Sequence, residues 1–192
     1  MISDLILSLF AFYFYAKHRI ISPYWGNFFL FMALSAIIGS MYHGATELGE
    51  LVRFTSWGMV SVSLIFGLMA VYKNLNSKYL NWFFIIKSTI FLFLSIHYSV
   101  FYFIVIDTAV SLLGFVALGD WLYLKSNSKW ITYGILLSLV SVLFIVLKFS
   151  FDPNYLSTND IGHYITILSL MLISKGVRED SLKELGKRSL NS

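Results

Sequence analysis

The sequence predicts an all-α polytopic membrane protein, one bundle of seven transmembrane helices with its N-terminus outside and its C-terminus inside. Three observations carry this. Of 192 residues 58% are hydrophobic and only 12% charged, at a mean hydropathy of +0.76, whereas soluble domains carry about a quarter charged residues. The apolar residues gather into runs close to the ~20 needed to cross a hydrocarbon core. Basic residues alternate between the connecting segments in the way that orients membrane proteins. Eighteen Phe, 12 Tyr and 5 Trp exclude disorder. The absence of cysteine excludes disulfides, thiolate metal sites and a Cys nucleophile.

The first run, 2–16, has neither a basic segment before it nor a small-residue cleavage site after it, and reads as a retained helix rather than a signal peptide. The second and third cover 25–45 and 54–72. The stretch 79–124 is too long for one crossing and reads as a hairpin of 80–97 and 100–119, turning near His97, Tyr98 and Ser99. The sixth and seventh cover 130–148 and 161–177. Pro23 and Pro153 fall outside all seven runs, where a missing N–H does no damage. Lys17 and Arg19, Lys73 and Lys78, Lys125 and Lys129, and the five basic residues from Lys175 to Arg188 mark the inner side. Residues 1–177 thus form the membrane domain, placed in the cytoplasmic membrane if the source is a bacterium. Residues 178–192 form a charged inner tail that reads as solvated, with a surface helix on anionic headgroups as the alternative. Membrane lipids are the expected partners. No phosphate loop and no nucleic-acid motif occurs.

The topology puts three of the four histidines at one depth: His43 ends helix 2, His97 ends helix 4 and His163 begins helix 7, all toward the outer face. Three imidazoles suffice for a catalytic zinc that keeps one position for water, although a half-polar ring also sits comfortably at the interface. Helical spacing puts Gly39, Ser40, His43 and Glu47 on nearby positions. Ser40 could hold a carbonyl oxygen or a metal-bound water, and Glu47 could act as general base or orient the imidazole. Simple helix packing is the alternative for Gly39 and Ser40, and plain solvation is the favoured reading of Glu47. Asp160, three residues before His163, fits either a site role or a cap on helix 7. Deeper in the membrane, Lys87 lies eleven residues before Tyr98 and Asp107 nine after it. Antiparallel packing then places them at similar depth, as a neutral pair that fixes the hairpin or as an ion or proton relay. A retinal protein is excluded, because Lys175 sits at the inner end of helix 7 rather than in mid-membrane. No G-x-S-x-G motif supports a serine hydrolase.

GSMYHG at the end of helix 2 and NDIGH at the start of helix 7 resemble the alkaline ceramidase-like superfamily of seven-helix membrane hydrolases. The chain is similar too to small bacterial membrane proteins with a His-Gly pair after helix 2 and an NDxxH opening to helix 7. The resemblance implies zinc held by His43 and His163, with Ser40 in support, and hydrolysis of a lipid amide or ester at an outward-facing site. The pattern departs at three places. Asn159 stands where the family has the first histidine of HxxxH, Ser40 precedes His43 by three residues rather than four, and helix 3 has no acidic residue. His97 or Asp160 are the substitutes for the missing ligand. The alternative is a scaffold, sensor or small transporter that has lost the metal.

Overall fold

The computed structural model describes residues 2–44, 49–73, 77–113, 128–147 and 157–190, and these are helical apart from short turns, with no strand among them. The order is α1 (Ile2–His18), α2 (Pro23–Gly44), α3 (Gly49–Val71), α4 (Lys78–His97), α5 (Tyr102–Val110), α6 (Lys129–Val146) and α7 (Thr158–Leu190). Among the described residues three spans are long and apolar enough to cross a membrane, Pro23–His43, Gly49–Val71 and Lys78–His97, and Tyr102–Leu113 and Lys129–Phe144 are shorter apolar helices.

Local chemistry sets several of the ends. Pro23 opens α2, a position where its missing N–H has no intrahelical partner to lose. Ser77 caps α4 by accepting from the Leu80 N–H at 3.3 Å. The end of α4 is a Schellman turn: Val100 N–H donates to Ser95 O at 3.0 Å and Ser99 N–H to Ile96 O at 3.1 Å, with Ser99 left-handed at φ 54°. The hairpin therefore turns where the sequence places it. Beyond α5, residues 111–113 widen into a π-type turn.

Consecutive helices α1, α2 and α3 pack side by side, α3 touches both arms of the α4–α5 hairpin, and α6 pairs with α7. The ring closes where α7 lies against α1. At the α6–α7 seam a Cβ on Gly134 would come within 2.8 Å of the Ser169 carbonyl, and one on Gly176 within 2.8 Å of the Ile131 nitrogen. Only glycine lets these backbones approach so closely. Serines tie the bundle across helices: Ser169 Oγ donates to Gly134 O at 2.6 Å, Ser141 Oγ to Gly162 O at 2.7 Å and Ser63 Oγ to Phe28 O at 3.0 Å. Near the C-terminal end of α1, Phe14, Phe28 and Phe29 pack together, and the buried His18 ring stacks on Phe29 and meets Ser174 Oγ at 2.7 Å.

The outside of the bundle is apolar. On α4, Phe83, Ile86, Ile90 and Phe93 form an exposed stripe at helical spacing, with Phe93 64% accessible. The paired charges Lys87 and Asp107 are turned the other way. Lys87 Nζ donates to Asp107 Oδ1 and, at 2.6 Å, to Ser111 Oγ, and Asp107 is fully buried. This is the neutral pair expected of the hairpin.

The charged tail is helical, with Arg178, Leu182, Lys183 and Leu185 exposed. It continues α7 as helix to Leu190, and its first acids cap the neighbour. Ser128, immediately before α6, donates N–H to Asp180 at 2.9 Å and Oγ to Glu179 at 2.7 Å. Negative charge at the positive end of the α6 dipole stabilises both partners, which a solvated-tail reading has no means to anticipate.

Candidate functional site

The first turns of α1, α3 and α7, the last turns of α2 and the α4–α5 turn surround a cavity of about 510 Å³ at one end of the bundle, within the range of small-molecule sites. Asp4 and Leu7 come from α1, Gly39, Tyr42 and His43 from α2, Arg53, Ser56 and Trp57 from α3, Ser99 and Phe101 from the hairpin, and Asn159, His163 and Thr166 from α7. Gly39 keeps the wall thin: a Cβ there would lie 3.7 Å from Asp4 Oδ1 and 3.5 Å from Ser56 Oγ.

His163 is the centre of the polar contacts. Its Nε2 lies 3.5 Å from Asp4 Oδ1, and its Nδ1 lies 3.1 Å from Ser3 Oγ. Ser3 has a single hydroxyl proton, which it gives to Asp160 Oδ1 at 2.5 Å. Its oxygen is therefore the acceptor toward His163, which places an imidazole proton on Nδ1, while the Nε2 contact with Asp4 is an ion pair when that nitrogen is protonated as well. Ser3 and Asp4 are both buried, although they belong to the first turn of α1.

Asp160 acts as a cap. Its Oδ2 accepts from Ser157 Oγ at 2.6 Å and Ser157 N–H at 3.2 Å, while its own N–H donates back to Ser157 Oγ at 3.3 Å. This reciprocal box closes the first turn of α7. The Ser157 and Ser3 hydroxyls hold its carboxyl below the usual aspartate range. A depressed carboxyl stabilises the fold above its unfolded value near 3.8, and the contribution fades as pH falls through the lower folded value. Amide exchange at 157–163, corrected for intrinsic rates, is therefore expected to accelerate on acidification below pH 4 in the wild type and to lose that extra step in Asp160→Asn. Equal acid profiles in the two would refute the cap as the pH-sensitive element.

Of the residues singled out from sequence, His43 and His163 share the cavity wall, and Asn159 joins them. Asp160 reaches the same network through Ser3. Ser40 is buried, and its hydroxyl donates to Ile37 O of its own helix at 2.7 Å. His97 is exposed at the end of α4, stacked on Phe93 and edge-on to Tyr98, and is not part of the cavity wall. Glu47 lies outside the described residues. Ser3, Asp4, Arg53 and Trp57 were not legible as site residues. The one signal for Asp4 and Arg53 is a charge inside or at the edge of an apolar run.

The donors can be tested against the zinc site that the family resemblance implies. Both nitrogens of His163 already have polar neighbours, His97 is elsewhere, and among the described residues no group of three His or carboxylate side chains converges. These residues do not make a three-ligand zinc site. What they make is a histidine held between two carboxylate-linked contacts at the wall of a cavity that is partly apolar.

The fold and site define a helical-bundle protein with several membrane-length apolar helices and, at one end, a partly apolar cavity with a polar network on its wall. The chain belongs to a family described as a family of unknown function, DUF6962, whose model matches residues 1–181. No curated protein and no solved structure matches it.

Proposed function

We propose that this chain is an integral membrane protein crossing the bilayer seven times, N-terminus outside, and that its outer-end cavity binds a lipid and hydrolyses an amide or ester in it. The exposed apolar stripe on α4 and the lysines and arginines gathered at one end of the bundle support the membrane topology. The observation that carries the chemistry is His163, with a basic nitrogen facing the cavity beside Asp4 and its other nitrogen fixed by Ser3.

In this reading His163 Nε2 takes a proton from a water in the cavity as that water attacks the carbonyl carbon. Asp4 offsets the positive charge that develops on the ring. The same proton passes to the departing amine or alkoxide when the C–N or C–O bond breaks. Ser3 and Asp160 hold the ring in place, and Asn159 is the nearby donor for the carbonyl oxygen. The apolar wall of Leu7, Met32 and Val60 takes the acyl chain.

The test is incubation of the purified chain, reconstituted in bilayers, with ceramides and with acyl esters, following released fatty acid, alongside elemental analysis of the sample. Fatty acid released without bound metal supports the histidine route. One equivalent of zinc per chain, lost in both His43→Ala and His163→Ala, would replace that route with a metal-dependent one. A sensing pocket without catalysis is the second reading, since both nitrogens of His163 are engaged as in a binding site; saturable lipid binding with no product would select it.

A further inference from the structure

Among the described residues the cavity wall holds one fixed cation, and its hydrogen-bonding capacity is not used up. Arg53 lies one turn into α3, its guanidinium carbon 5.1 Å from the Phe54 ring centre and 5.0 Å from that of Trp57. Flanking rings hold a planar cation in place without consuming its donors. One terminal nitrogen, Nη2, donates to Glu50 at 2.7 Å, but Glu50 is 67% accessible and such exposed pairs yield readily. The Nε–H is buried and has no partner. Nε is closed off from solvent, so the terminal nitrogens are the donors of this wall residue that a cavity ligand can use.

We propose that Arg53 anchors a phosphate group in this cavity, making the ligand a phosphate-bearing molecule, with a phospholipid headgroup as the source the walls favour. Donors on three different helices, Arg53, His43 and Asn159, face the same space, which suits a tetrahedral oxyanion with several oxygen faces better than a planar carboxylate. The one carboxylate on the described wall, Asp4, is turned to His163. The apolar part of the lining suits the glycerol and first acyl carbons of a lipid and has no use for free phosphate. Phosphate recognition names the ligand class of the cavity, and it rests on the hydrolytic reading only for the chemical step after binding.

The experiment titrates the full chain, in maltoside micelles that contain no phosphate, with dioctanoyl phosphatidic acid, dioctanoylglycerol and inorganic phosphate, read by native mass spectrometry and calorimetry. The phosphatidic acid is expected to bind at least tenfold more tightly than the diacylglycerol. Arg53→Gln should erase that preference, and Arg53→Lys should retain part of it. Saturable binding of inorganic phosphate that disappears in Arg53→Gln supports the anion site and names free phosphate as a source. Equal affinity for the two lipids overturns the proposal, as does an undiminished preference in Arg53→Gln. If Arg53→Gln does not fold, competition of phosphate against phosphatidic acid on the wild type decides, and no competition overturns it. Hydrolysis is followed on the wild type in parallel: Arg53-dependent binding without product rejects the enzyme and not this site.

Discussion

Hydrolysis by His163→Ala is expected to fall about 10²–10⁴-fold, the range ascribed to a positioned general base, with the bundle still folded. The side chain is half-buried at the cavity wall, and its loss leaves the Ser3 to Asp160 tie between α1 and α7 in place. Asp4→Asn keeps the shape of the wall and removes the charge facing Nε2. Its rate should fall about 10²-fold or more, because the imidazolium then forms without a counter-charge in a poorly solvated space. Ser3→Ala should cost less, since it frees the ring without removing the base. Rates are measured on reconstituted protein, with circular dichroism as the folding control. A wild-type rate in His163→Ala with an unchanged spectrum would end the assignment of His163 as base.

The second large effect is on stability. Asp107 is fully buried with one carboxylate oxygen on Lys87 and the other without a partner. Removing one member of such a pair strands the other charge, which typically costs about 3–5 kcal/mol. Lys87→Met and Asp107→Leu should each lower unfolding free energy by about that amount in a denaturant titration of the micellar protein. The double variant should recover most of the loss, because two apolar side chains of similar volume need no partner. Additive losses in the double variant would mean that each residue acts through other contacts, and a relay role would then regain ground.

That pair is also the clearest case of tertiary structure readable from sequence. Counting residues from a hairpin turn fixes relative depth, and depth alone suffices to match two charges on adjacent helices. The seven helices were legible for a related reason: apolar runs of membrane length are set by solvent, not by packing detail. The site was only half legible. Asn159 and His163 share a wall because residues four apart lie on one helix face, and His43 joins them from α2. Ser3 and Asp4 do not announce themselves, since an acid near the start of an apolar run reads as a flanking charge. Their role depends on α7 docking beside α1, which local periodicity does not encode. Arg53 reads as a loop charge for the same reason, and the glycine contacts that draw α6 onto α7 are equally invisible until both helices are placed.

The contact between α1 and α7 has a consequence for biosynthesis. Ser3 and Asp160 are 157 positions apart in the chain, so the ribosome delivers one side of the pocket first and the other side last. A chain that has not yet made α7 lacks the Asn159, His163 and Thr166 side of the cavity and the Asp160 acceptor of Ser3, so the pocket exists only once both helices are made.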